Sequence, residues 1–408
     1  MAMLNRLFIV IALIIGADIS SLAQDKNSFT TYWDNGLKIE SADKAFKLKM
    51  GGRLQYDMMV MNQSDSLQVN FPNTYNGAEL RRARFYFSGS IYENISYKVQ
   101  IDFASNTITV KDAYIALHKL PVIHNIKVGK FKVPFGLNTL TSSKYLTLME
   151  RPTTSDFDSD RHLGAMIYRS HLNNRLSWQA GFFYPNQDKN HYNGDGYLLA
   201  ARVVGLPIYN TEGDIYSLLH IGASFAHGYH NNSEFEIKNR PESHLAPKYS
   251  FFRVPTVKFS YLANLELSYI RNRFSFQAEY HYMDFKSNNS ASYNEKTHLG
   301  SYYGTFSFFL TNDHRSYSKK KTFFGNVTPK KNYGKEGWGA IELAARYSHV
   351  DGDEDRYIYG GEMNNIATGV NWYLNPAVKV AFNYIHSMNP AYGNGSANIY
   401  QMRFQVAF

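Results

Sequence analysis

The chemistry this chain could perform rests on cations set two residues apart. Arg82 and Arg84 are so spaced, as are Lys130 and Lys132, while Arg53 and Lys98 sit on the polar side of other alternating runs. Such groups attract and pass on oxyanions without breaking a bond. The planar fork of arginine can offer paired donors to two oxygens of one anion. Covalent chemistry finds no support. The chain has 14 His and no Cys, but no HExxH, no His pair at metal spacing with a carboxylate, no nucleophile elbow and no phosphate-binding glycine loop. No enzyme, metal site, cofactor or disulfide framework is expected.

The stretch Gly129–Pro152 (GKFKVPFGLNTLTSSKYLTLMERP) concentrates this character. Lys130, Lys132, Lys144 and Arg151 stand there against one acid, Glu150. It lies between two alternating segments and does not alternate itself. It is expected to fold into a pore, with Lys130, Lys132, Lys144 and the backbone of Thr139–Lys144 forming the narrowest ring.

The elements that would carry these side chains repeat with period two. In Lys47–Asn62, Leu48, Met50, Leu54, Tyr56, Met58 and Val60 share one face, and Lys47, Lys49, Arg53, Gln55 and Asp57 the other. Leu80–Ile91 and Ile95–Phe103 repeat the pattern across a short turn at Glu93-Asn94, so they read as an antiparallel hairpin. It recurs in Arg175–Tyr184, Arg273–Phe285, Ala340–His349, Ile366–Leu374, Ala377–Ser387 and Asn398–Phe408. About sixteen such segments make an all-β fold: a transmembrane antiparallel β-barrel with inward-folded loops. In lipid, only closure pairs every strand edge.

Composition agrees. Aromatics make up 16% of the chain, with 32 Tyr and 28 Phe, which suits girdles at the two membrane interfaces. A mean hydropathy of −0.40 leaves no room for a helical membrane domain. Residues 1–23 read as a cleaved signal peptide, with Arg6, an apolar run Leu7–Ala17 and Ser21-Leu22-Ala23. Residues 24–46 form a periplasmic lead-in, and 47–408 the barrel.

The formal net charge is +9. The basic residues lie on strand faces rather than on one exposed patch, so nucleic acid is not an expected partner. Parity aims Arg53, Arg82, Arg84 and Lys98 at the lumen, with Arg202, Arg346 and Arg403 on further strands. Arg81 has the opposite parity and is expected at the membrane interface. Two readings stay open: a column of cations that concentrates anions, or wall charges paired with Asp57, Asp102 and Asp112. Strand parity places Gln63–Glu79, Val133–Asp160, Pro185–Gly196, His230–Tyr261, Lys286–Lys296, Val350–Met363 and Met388–Ala397 outside the cell. Thr311–Gly337 should then be a periplasmic turn but is far too long for one. Either a strand pair lies within it or it folds into the lumen, where Lys319–Lys321 and Lys330-Lys331 would extend an anion funnel. Asp351, Asp353, Glu354 and Asp355 read as a solvated acidic loop.

Several stretches together resemble the phosphate-selective porins of the O and P type: GGRLQYD (Gly51–Asp57), ELRRARFYFSG (Glu79–Gly89), YKVQIDF (Tyr97–Phe103), KDAYIAL (Lys111–Leu117), Val128–Pro152, RHLGAM (Arg161–Met166), Gly337–Asp351 and Gly369–Ser387. The resemblance implies an outer-membrane porin of a Gram-negative bacterium. It implies a trimer of sixteen-stranded barrels whose extracellular loops and one long periplasmic connection enter the lumen. Small anions, phosphate or polyphosphate among them, would diffuse passively along an Arg/Lys lining, and the barrel would contact outer-membrane lipid and lipopolysaccharide. Asn138 departs from the motif, where a glutamate is common. The alternatives are a general diffusion porin without phosphate preference and a barrel serving surface adhesion through its loops.

Overall fold

Sixteen antiparallel strands close on themselves because each is apolar on one face and polar on the other. In β3 (Phe46–Gln63) the outward Leu54, Tyr56, Met58 and Val60 are exposed to the surroundings of the barrel, while Gln55, Asp57 and Met59 are buried within it. The computed structural model describes residues 28–72, 76–104, 107–157, 160–185, 196–211, 215–286, 297–335, 337–352, 361–389 and 394–408. The expected signal peptide lies outside these residues, as do Asp353, Glu354, Asp355 and most of Pro185–Gly196 and Lys286–Lys296.

Two short strands, β1 (Phe29–Trp33) and β2 (Leu37–Ser41), form a hairpin that pairs with the start of β3. The lead-in thus extends the sheet. The barrel continues through β4 (Gly77–Ile91), β5 (Ile95–Asp102), β6 (Thr109–Leu120), β7 (His124–Lys132), β8 (Arg161–His171), β9 (Leu176–Tyr184) and β10 (Tyr197–Asn210). It passes on through β11 (Ser217–Asn239), β12 (Ser250–Arg271), β13 (Phe274–Lys286) and β14 (Thr297–Phe309). A miniature hairpin of β15 (Tyr317–Ser318) and β16 (Phe323–Phe324) stands apart from the wall. The wall resumes with β17 (Ala340–Gly352), β18 (Met363–Tyr373), β19 (Val378–Asn389) and β20 (Gly395–Ala407).

Closure is the pairing of β20 with β3, from Ala397 opposite Gln63 to Ala407 opposite Arg53. Phe408 completes it: its carbonyl accepts from Gly52 N at 2.7 Å, and its own N–H donates to Gly52 O at 3.0 Å. Apart from the β14–β17 connection, the described turns at the end holding both termini are short. They use left-handed residues such as Asn173, Asn174 and Asn272, which tolerate positive φ.

One expected loop is corrected. His230–Tyr261 is mostly strand, since β11 and β12 pair out to Asn239 and Ser250. Polar HNNSE and Pro255 disguise it. Their register shifts between Tyr229 and Phe235, which lets the ladder pass Pro255. Beyond the shift, Phe235, Ile237, Phe252 and Val254 face inward and bury against Phe131, Val133 and Phe135, whose chain turns into the barrel.

Thr311–Gly337 also resolves. It re-enters the lumen and carries the β15–β16 hairpin, whose Tyr317 and Phe324 pack with Leu137 of the opposite inward segment.

Candidate functional site

Two segments fill the lumen from opposite ends, and the wall side chains decide where each sits. The first is residues 133–160, joining β7 to β8. Its Val133, Phe135, Leu137, Leu146, Leu148 and Met149 are buried. Leu137 N and Asn138 N donate to the Glu279 carboxylate of β13 at 2.7 and 2.8 Å. Met149 N donates to Asn383 at 2.8 Å, Lys379 Nζ to Leu146 O at 3.0 Å, and Asn371 Nδ2 to Thr147 O at 2.6 Å. The segment is therefore strapped across the lumen by groups from the far wall.

The second segment, between β14 and β17, reaches the first through Arg315. Its guanidinium donates to Thr147 Oγ1 and, at 3.1 Å, to Tyr145 O. It also lies 3.9 Å from the centre of the Phe324 ring. Thr322 holds the segment to the wall, accepting from Arg202 Nη1 at 2.7 Å.

The far wall, β10–β19, spends its charges on such bracing. Arg202 donates to Glu266 through Nε at 2.8 Å and Nη2 at 2.6 Å, with both side chains fully buried. His220 bridges Glu266 and the Tyr317 hydroxyl at 2.9 and 2.6 Å. Arg346 grips Glu242, which also accepts from Ser348 Oγ at 2.6 Å. Glu342 accepts from Asn371 at 3.0 Å and from the Tyr373 hydroxyl at 2.8 Å. Arg202 and Arg346 thus face inward, as parity requires, yet each is tied to a carboxylate.

The near wall, β3–β8, is different. A cavity of about 310 Å³ lies between it and residues 139–155. Six arginines (Arg53, Arg81, Arg82, Arg84, Arg151 and Arg161) line it with Lys111 and Lys132, against one carboxylate, Asp160. A second cavity of about 220 Å³ shares Arg81, Arg82, Arg151 and His244 with it and adds Lys238, Arg240 and Lys248, with the carboxylates of Glu150, Asp156 and Glu242. The two cavities adjoin along these shared basic residues.

Each expected residue has a definite place. Arg53 donates to the Ser143 and Ser142 hydroxyls at 2.7 and 3.0 Å. Arg82 donates to Gln55 at 2.9 Å and reaches Glu150 at 3.4 Å. Arg84 pairs with Asp102 and Lys98 with Asp112, both at 2.6 Å, and Arg403 pairs with Asp57 at 2.6 and 2.5 Å. Those three are thus paired with the expected aspartates, whereas Arg53 is held by hydroxyls. Lys132 closes the loop on itself, donating to the carbonyls of Thr139, Leu140 and Thr141. Lys144 sits over the Tyr145 ring at 5.3 Å, amid the like charges of Arg53, Lys49, Lys98 and Lys321. It is half-buried on the loop, and desolvation with these like charges pushes its pKa down to about 7. Lys330 and Lys331 are exposed beside the turn between β18 and β19.

Two expectations about cations fail. Lys130 does not join a ring in the lumen. It shares the outer face with Val128 and stands opposite Leu163, both more than half exposed. Arg81 is not at the membrane interface. Gln55 pairs with Arg82 and Tyr56 with Leu80, so Arg81 is an extra residue in β4. That bulge turns it inward, where its Nε and Nη2 donate to Glu150 at 2.9 and 3.0 Å. Lys111 arises the same way, skipped between the Gln100–Asp112 and Ile101–Val110 pairs. In sequence, the signal for both is a break in alternation, RRAR and VKDA. Arg161 has outward parity and reaches Asp112 at 2.7 Å from the first position of β8. Period two could not have found it.

Comparison with known proteins follows this geometry. The profile described as Phosphate-selective porin O and P matches residues 48–408. Porin O of Pseudomonas aeruginosa is 25% identical over 401 residues, covering 89% of this chain and 88% of that one. An uncharacterized protein of Caulobacter vibrioides is 26% identical, over 86% of this chain and 70% of its own. Among solved structures, an anion-selective porin from Comamonas acidovorans aligns with a TM-score of 0.56 at 12% identity, over 89% of this chain and all of that one. The trimer form of OmpT, an outer-membrane protein of Vibrio cholerae, aligns with a TM-score of 0.56 at 9% identity over the same shares.

Proposed function

The chain belongs to the phosphate-selective porin O and P family and is an outer-membrane porin, and from that premise we propose that it passes small anions, phosphate among them, along the basic passage of the near wall. The observation that carries this is the larger cavity, where eight arginine and lysine side chains meet one carboxylate. A narrow water-filled path with this lining raises the local concentration of anions and repels cations. Successive cations of moderate strength let an anion enter without trapping it. Arg53, Arg81, Arg82, Arg84, Arg151, Arg161, Lys111 and Lys144 are the residues that would act. Arg202 and Arg346, held by Glu266 and Glu242 away from that cavity, would chiefly brace.

A homotrimer exported by the signal at residues 1–23, with lipid and lipopolysaccharide around it, completes the proposal. A second reading, a diffusion porin indifferent to phosphate, draws support from Arg84 and Lys98, whose charges are offset by Asp102 and Asp112. Purified protein in planar bilayers separates the two. Chloride-selective current blocked by low-millimolar phosphate supports phosphate preference. Anion selectivity without block supports the second reading, and cation selectivity sinks both.

A further inference from the structure

Glu150 lines the second cavity beside Arg81 and Arg82, which both cavities share, and three guanidinium groups converge on it. Arg81 engages both its oxygens at 2.9 and 3.0 Å, Arg82 reaches both at 3.4 Å, and Arg403 donates at 2.7 Å. The remaining donors of Arg403 go to Asp57 and to Met149 O. Forked donors that fit a carboxylate also fit the oxygens of a phosphate-like anion. An anion passing between the cavities must cross arginines whose donors a side chain of the loop already occupies.

We propose that Glu150 is a specificity-determining residue, a tethered anion seated in the Arg81–Arg82–Arg403 cradle, with which a permeating oxyanion exchanges. Left empty, three guanidinium groups in so confined a space would hold a dianion too long for conduction. Filled by Glu150, the cradle binds the passing anion only as the carboxylate gives way, so affinity stays low enough for release. The inference rests on the reading that this passage carries anions.

The loop has anchors besides this carboxylate. Glu279, Asn383, Asn371 and Lys379 hold its backbone from the far wall. Glu150 can therefore be changed without unseating the segment.

The test measures chloride current through single channels in planar bilayers while inorganic phosphate is added, for the unaltered protein, Glu150→Gln and Glu150→Asp. Glu150→Gln is expected to be half-blocked at a phosphate concentration about tenfold lower, the ratio expected when one charged competitor leaves. Glu150→Asp, which keeps the charge, should stay within about twofold of the unaltered protein. An unchanged half-block in Glu150→Gln overturns the proposal, even if its current becomes noisier, because that marks a loop tether. Failure of Glu150→Gln to assemble overturns it too, since the carboxylate would then be essential to the fold. Cation selectivity in the unaltered protein would instead strike at the anion passage itself.

Discussion

The near and far walls of this barrel use the same residue for opposite ends. On the far wall Arg202 and Arg346 each face a glutamate, and the pairs brace the segments that fill the lumen. On the near wall Arg53 faces serine hydroxyls, and in the proposed passage its charge would act on whatever passes. An arginine aimed at the lumen is therefore not yet part of a conduction path; its partner and its place on the cavity decide. A buried, paired charge stabilises mainly in the sense that removing its partner is costly. A charge with water and hydroxyls around it contributes a field.

The largest way to break this contrast is on the far wall. Glu266→Ala leaves Arg202 buried without its carboxylate and removes the acceptor of His220. A loss of about 3–5 kcal/mol is expected, read as a lower denaturant midpoint of the folded barrel. Protein that still assembles should keep its anion preference. A shift in preference with intact stability would erase the division between the walls.

Next comes Arg315→Ala, which cuts the contact between the two inward segments at Thr147 and Tyr145. About 2 kcal/mol of contact is removed. Single-channel conductance should rise, with little change in the ratio of anion to cation permeability. A lower conductance would mean that Arg315 serves the passage directly.

A smaller effect concerns Lys144. Burial disfavours its ammonium form and sets its pKa at about 7, so it is charged below that pH and neutral above it. Anion conductance should fall as pH rises from about 6 to about 8, the span over which a group of this pKa gives up its proton. Lys144→Arg should flatten the profile. Smallest of all is Lys130→Ala, on the outer face. It should leave the current unchanged and stability within about 0.5 kcal/mol.

The contrast between the walls also marks what a sequence can disclose. Alternation in Leu54–Val60 and its counterparts reports which side chains share a face, because a strand repeats every two residues. Arg53, Arg82, Arg84 and Lys98 could be aimed at the lumen on that basis. Arg81 and Lys111 could not, since each is the extra residue of a bulge and one unpaired position resets the count. Lys130 was misplaced because its loop was read as beginning at Gly129, whereas β7 keeps its outward face through Lys130. The partners lie further off. Glu266 is 64 residues from Arg202, and Glu279 is 142 from the Leu137 it holds, so no local pattern carries those pairings. In the residues themselves the re-entry of Thr311–Gly337 showed as a length too great for a turn, and the family resemblance supplied the rest.

The account turns on the near wall supplying the selectivity. Its most direct test is the reversal potential of the unaltered channel and of Arg53→Ala/Arg84→Ala under one potassium chloride gradient. The prediction is a potential on the chloride side for the unaltered channel, with the anion preference of the double variant reduced by about tenfold, the lower end of what a charged cleft supplies. An unchanged potential in a correctly assembled double variant would contradict it.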